Sequence, residues 1–166
     1  MRLKRLICAV LAVCLALALV PALERTAQAA SPYYITVDLT NQIVTVYENG
    51  NVTESGIVRQ MICSSGKPST PTPKGTFTLP KKSRASERTE WYYFASSHCY
   101  AKWATRIHGG ILFHSILYSR PDESTVRMKS VRQLGSKASH GCVRLMPEDA
   151  RWIYENCHKG QVIEIY

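Results

Sequence analysis

Alternation dominates the chain beyond its first thirty residues. Ile35, Val37 and Leu39 alternate with Thr36 and Asp38, and residues 43–47 repeat the pattern beyond the polar turn Thr40-Asn41-Gln42. A period of two marks a half-buried strand, so the two runs predict a β-hairpin. Asn49-Gly50 is a further hairpin signal, and a third strand is expected over residues 52–63. Residues 75–79, 91–95, 100–107, 111–116 and 162–165 read as additional strands, with the charged stretch 81–90 on the surface. One segment breaks the pattern. Pro147 suits a first helical turn, and Glu148 and Asp149 suit its positive end. Trp152, Ile153 and Cys157 continue a helical spacing, and Gly160 supplies a stop. Many strands and one clear helix near the C-terminus predict a mainly β domain.

Two stretches lack periodicity. Residues 64–74 are rich in Ser and Pro and must form a loop. Pro68 interrupts Gly66-Lys67 and Ser69-Thr70, so they do not make a phosphate loop. Residues 117–138 carry Arg120, Arg127, Lys129, Arg132 and Lys137. They read as a solvated loop or, in the sharper alternative, as a basic lip over a site that attracts acidic substrate.

The opening residues look like a secretory leader. Arg2, Lys4 and Arg5 precede an unbroken apolar run from Leu6 to Val20, then Pro21 and Ala27-Gln28-Ala29. That order of basic, apolar and small residues predicts a signal peptide over 1–29 and a single domain over 30–166. The run is shorter than the roughly 20 residues that span a bilayer, so export to the cell wall or beyond is expected, with no stable membrane partner. The formal charge is +9 for the whole chain, and +6 without the leader's four cations and one anion. A basic exported protein gathers near anionic polymers, among them a bacterial wall. No nucleic acid partner is expected, because the aromatics fall at strand spacing and no nucleic-acid motif is present. Oligomeric state is left open.

Cys63, Cys99, Cys142 and Cys157 lie outside the leader. If Cys142 stays a thiol, the other three form one bridge or none, and spacing leaves all three pairs open. Their positions at predicted strand ends favour Cys63–Cys99.

The candidate chemistry centres on Ser139-His140-Gly141-Cys142-Val143-Arg144. Cys142 is a potential nucleophile. Gly141 lets a substrate carbonyl approach the nearby amides, and Arg144 supplies a bidentate fork for a carboxylate. A thiol needs a base. His98 and His158 read as surface residues. His108 and His114 compete for the role: His114 ends an apolar strand that packing should hold rigid, whereas His108 abuts the Gly109-Gly110 turn, so His114 is favoured. A zinc site from His108, His114, His140 and Cys142 is a weaker alternative, since no His-Glu-x-x-His helix exists.

The hexapeptide at 139–144 resembles the signature of the L,D-transpeptidases of the YkuD type. Pro71-Thr72-Pro73-Lys74-Gly75-Thr76-Phe77 resembles a second segment of that family, and Phe113-His114-Ser115 its upstream histidine phrase. The resemblance runs over about 33–166. It implies a β-sandwich or barrel, with no metal and no cofactor. It implies that Cys142 forms an acyl-enzyme with peptidoglycan stem peptides and that His114 is the base. The Ser115 carbonyl would orient His114, and amides near Gly141 and Cys142 would hold the oxyanion. His140 would line the pocket and Arg144 would bind a substrate carboxylate. The implied product is a stem-to-stem cross-link. Trimming by water, as an L,D-carboxypeptidase, and a non-catalytic wall-binding module are the alternatives. One departure is the span from His114 to Ser139, 25 positions and longer than the common family spacing. Another is the lack of an attached wall-binding repeat.

Overall fold

Hydrophobic alternation builds the sheet from its first hairpin outward. The computed structural model describes residues 32–80, 88–158 and 160–166, so the leader 1–29 and most of the charged stretch 81–90 lie outside the described residues. Strand β1 (Tyr33–Asp38) pairs antiparallel with β2 (Ile43–Glu48), placing Ile35 opposite Val46 and Val37 opposite Val44. Asp38 closes the turn between them: its Oδ1 accepts the Thr40 and Asn41 amides at 2.8 and 2.9 Å. The Asn41 amide is the main reason that the Asp38 carboxyl is held below its ordinary range.

Further strands extend both edges. On one side β10 (Val162–Ile165) joins β1 in parallel, and β4 (Gly75–Thr78) joins β10 antiparallel. On the other, β3 (Ile57–Ser64) pairs with β2 and then with β9 (Val143–Leu145). β9 lies parallel to β7 (Ile111–Ser115). β6 (Cys99–His108) and β5 (Arg88–Phe94) follow, and the short β8 (Leu117–Tyr118) pairs with β6. The path β4-β10-β1-β2-β3-β9-β7-β6-β5 is one curled, mostly β architecture. Helix α1 (Met128–Arg132) is short. Helix α2 (Pro147–Asn156) lies over β6 and β7, and buries Ala150 and Ile153 with Val143, Leu145 and Ile163. Arg59 holds its first turn through Asp149 at 2.6 Å. No helix among the described residues is long and apolar enough to cross a membrane.

Three sequence expectations change. The third strand starts at Ile57, because residues 54–56 form a 3-10 turn. Thr53 donates to Asn51 Oδ1 there, and Gly56 sits so close that a Cβ would meet the Asn51 carbonyl at 1.9 Å. The solvated-loop reading of 117–138 holds only in part: residues 119–124 are exposed, but the segment holds β8, a 3-10 turn at Glu123–Thr125 and α1. It is pinned by buried Ser130, which accepts from Leu117 N and donates to the Arg127 carbonyl. The Cys63–Cys99 disulfide does not form, since both thiols are unbridged. β9 and β7 stand between β3 and β6. Three strand spacings of about 4.8 Å put the two sulfurs beyond disulfide reach.

Candidate active site

The parallel pairing of β7 with β9 assembles the site. It sets Phe113 opposite Val143 and His114 opposite Arg144, with Cys142 immediately before β9. Apolar neighbours hold this register, since Phe113, Val143 and Leu145 are fully buried. The 64–74 loop clamps the cysteine loop from outside. Ser65 accepts the amides of Ala138 and Ser139 at 2.8 and 2.9 Å, and Thr72 Oγ1 donates to the Gly141 carbonyl at 2.7 Å. Buried Gln42 supports that clamp in turn, through Ser65 Oγ and Ser65 N.

Gly141 has a conformational task beyond close approach. Its φ is +113°, and a Cβ would meet Ile111 Cδ1 at 2.8 Å. Its amide already donates to Ser139 Oγ at 3.0 Å, while that hydroxyl donates to the Cys142 carbonyl at 2.6 Å. The Gly141 N–H is therefore engaged inside the loop, which leaves the Cys142 amide as the remaining candidate of the two for an oxyanion.

Cys142 and His114 line one open cleft of about 200 Å³, with Phe94, Cys99, Gly110, His140 and Arg144 among its walls. Cys142 is half-buried, and its Sγ donates to the Gly110 carbonyl at 3.6 Å. Burial pushes the thiol upward, while the Leu112 amide and the positive Arg144 and Arg106 oppose the rise. His114 is 2% exposed and packs against the Phe94 ring at 4.9 Å. Its Nδ1 lies 2.6 Å from the Ser115 carbonyl. A carbonyl only accepts, so Nδ1 carries the hydrogen and Nε2 keeps a lone pair. Burial pushes the imidazole down to about 3, against the Ser115 hydrogen bond. At neutral pH the cleft thus holds a neutral thiol and a neutral imidazole.

His140 is exposed, and Lys67 Nζ donates to its Nε2 at 3.3 Å. Arg144 is 7% exposed. Its Nη1 donates to Gln133 Oε1 at 3.0 Å, and its Nε has no hydrogen-bond partner. Burial depresses its pKa, opposed by the Cys142 and Cys99 sulfurs.

The cleft therefore gathers Cys142, His114, His140 and Arg144, with the Ser115 carbonyl behind His114. It does not gather His108, which stacks on Phe77 at 5.2 Å on the exposed end of β6. Among the described residues no three His, Cys, Asp or Glu side chains could hold a metal ion. Sequence reading missed Phe94, Gly110, Thr72 and Gln133. Only Thr72 carried a signal, within the Pro71–Phe77 segment. The other three reach the site through pairing across the sheet and through the 117–138 fold.

The YkuD model, described as the L,D-transpeptidase catalytic domain, matches residues 32–165. YciB of Bacillus subtilis (strain 168), which carries the name L,D-transpeptidase provisionally, is 35% identical over 130 residues, covering 74% of this chain and 60% of that protein. The solved structure of the LD transpeptidase LdtMt1 in complex with imipenem matches with a TM-score of 0.63 at 25% identity, over 81% of this chain and 59% of that one. An L,D-transpeptidase from Mycobacterium smegmatis matches with a TM-score of 0.63 at 26% identity, over 81% of this chain and 58% of that one. The chain thus spans about three-fifths of the length of each. It belongs to the YkuD family of L,D-transpeptidase catalytic domains.

Proposed function

We propose that this protein is an L,D-transpeptidase, exported by its 1–29 leader, that joins peptidoglycan stem peptides through a Cys142 acyl-enzyme. One observation carries the reading: Cys142 shares a cleft with a histidine whose proton position is set by the Ser115 carbonyl. In the first half-reaction His114 Nε2 takes the thiol proton as Sγ attacks the carbonyl of a donor stem. The Cys142 amide faces the developing oxyanion. The scissile C–N bond breaks, Nε2 returns its proton to the leaving amine, and a thioester remains. In the second half-reaction an amine of another stem attacks the thioester and gives a proton to Nε2. The C–S bond breaks and the Cys142 thiol is restored. Arg144 holds a substrate carboxylate, which supplies the partner that its Nε lacks.

A neutral resting pair suits this cycle. The thiolate forms only as the carbonyl arrives, so the nucleophile is shielded between turnovers. Water in place of the amine would yield a trimmed stem, the L,D-carboxypeptidase outcome.

The test incubates the purified mature chain with imipenem, and separately with a stem tetrapeptide, and reads masses. The expected results are one carbapenem adduct on Cys142, release of the terminal residue and a cross-linked dimer. Trimmed peptide without dimer assigns hydrolysis. An unmodified protein with intact peptide leaves only wall binding. Sequencing the exported protein's N-terminus should begin near Ala30, and a retained leader would reject the signal-peptide reading.

A further inference from the structure

We propose that Trp103 is a positioning residue for the base: its left-handed backbone interrupts the β6–β7 ladder and so leaves the Ser115 carbonyl to His114. The proposal rests on the acyl-enzyme reading above, since it concerns how that base is held. Pairing along β6 has a gap. Thr105 lies opposite Phe113 and Ala101 opposite Leu117, with equal spans on both strands, so Trp103 falls opposite Ser115. Yet no pair joins these two among the described residues. On the other flank Trp91 pairs with Lys102 and Thr89 with Ala104, and Trp103 is again skipped. The cause is local. Trp103 has a φ of +56°, a conformation that a bulky L-residue adopts only at a cost.

The missing pair sits where the chemistry needs it. The Ile116 N–H donates to the Leu145 carbonyl at 2.9 Å, so its backbone groups face β9. Those of Ser115, one residue earlier in an extended chain, face β6. In an unbroken antiparallel ladder the Trp103 N–H would donate to the Ser115 carbonyl. Here that carbonyl meets His114 Nδ1 at 2.6 Å. The Ser115 hydroxyl fills the gap in the ladder: it accepts the Lys102 amide at 2.7 Å and donates to the Ile116 carbonyl at 2.8 Å.

Backbone strain persists only where the surroundings over-determine it. The Trp103 indole meets three such partners. Lys102 Nζ lies 4.9 Å from its ring centroid, Arg151 Cζ 5.4 Å, and the Tyr154 ring 5.3 Å. Arg151 and Tyr154 belong to α2, which packs on β6. The helix therefore pins an indole, the indole sustains the turn in β6, and the turn frees the acceptor that sets the His114 tautomer. A regular strand at Trp103 would draw the Ser115 carbonyl into the sheet. His114 would then lose the partner that keeps its hydrogen on Nδ1 and its lone pair on Nε2.

Three truncations of the mature chain decide it: Trp103→Gly, Trp103→Ala and Trp103→Val. All lose the indole, but they differ in how readily the backbone accepts a left-handed φ, from Gly, freely, to β-branched Val, worst. The rate of imipenem acylation at Cys142 and the nitrogen NMR signals of His114 are read at a temperature where each is folded. Wild type should show the Nδ1–H tautomer and left-handed backbone shifts at Trp103. Acylation should fall from Gly through Ala to Val, with Gly at least about fivefold faster than Ala. The Nδ1–H signal should weaken in the same order. Equal losses in Gly and Val with an unchanged tautomer would reduce Trp103 to packing and overturn the proposal. Strand-like shifts at Trp103, or an Nε2–H His114, in wild type would overturn it with no variant at all. Wild type that forms no imipenem adduct, while the tautomer still weakens from Gly to Val, would defeat the transpeptidase reading and leave the role of Trp103 standing.

Discussion

The sheet half built from β4, β10, β1 and β2 and the half built from β9, β7 and β6 both bury a face, the second more completely, and fill it differently. Ile35, Val37, Val44, Val46, Ile163 and Ile165 pack the first half at 2% exposure or less. The second half buries His114, Ser115, Thr105 and Arg144 beside Phe113 and Leu145, and leaves Thr105 Oγ1 and Arg144 Nε without partners. Buried polar groups weaken a core unless they are satisfied. The first half's buried polar groups are only Thr36 and Thr45, whereas the second half offsets its charged and unpartnered groups with Ile107, Phe113, Val143 and Leu145 of the shared core. A local departure from the ordinary rules of packing is the signature of a functional site.

The hardest break of this contrast is Cys142→Ala. It should abolish turnover and imipenem labelling while the melting temperature stays close to wild type, because the side chain is half-buried and outside the apolar core. Residual cross-linking by the folded variant would remove Cys142 from the role of nucleophile.

His114→Ala comes next, at about 10² to 10⁴-fold in rate, the usual worth of a general base. His108→Ala should lose far less, since its ring rests on Phe77 away from the cleft. A larger loss at His108 would reverse the assignment. The same histidine sets an acid limb of stability. Its folded value near 3 lies below the ordinary 6.5, so between these values the unfolded chain binds more protons. Stability then falls as pH drops through that window, by up to about 1.4 kcal/mol per unit. Denaturant titrations between pH 4 and 7 should show this slope in wild type and a shallower one in His114→Ala.

Ile35→Ala probes the apolar half. It should cost about 2–5 kcal/mol of stability with little change in the rate of carbapenem labelling at a temperature where the variant is folded. Loss of labelling in step with stability would mean that the two halves do not divide their tasks.

The mildest expected effect is at Arg144. Arg144→Ala should lower specificity for stem peptides at least tenfold, in line with about 1.5–3 kcal/mol for a charged hydrogen bond, and Lys should rescue only part of it. Reaction with a small thiol reagent should change little. Equal loss in both reactions, with a lower melting temperature, would make Arg144 a brace for the cysteine loop.

Local signals were legible in the sequence wherever the cause was local. The β1–β2 hairpin follows from alternation plus an Asp38-capped turn. Helix α2 follows from Pro147 and two acidic residues at its start. The choice of His114 over His108 rested on an apolar strand against a glycine turn, and β7 does carry His114 into the cleft. Residues 117–138 were illegible because Ser130 and Leu117, rather than periodicity, hold their fold. The favoured cysteine pairing failed because sequence spacing does not reveal that β9 and β7 stand between β3 and β6.

By itself the sequence determined most of the strands, helix α2, the Ser-His-Gly-Cys loop and the small set of histidines that could serve it. These depend on periods, turn residues and intrinsic chemistry, all properties of neighbours along the chain. Only the tertiary structure decided that β7 and β9 run side by side in parallel, with His114 opposite Arg144 and Cys142 at the strand's entrance. Parallel neighbours need a long crossover whose course no local pattern encodes. Packing alone chose the register, and with it which histidine shares a cleft with the thiol and which guanidinium keeps an Nε without a partner.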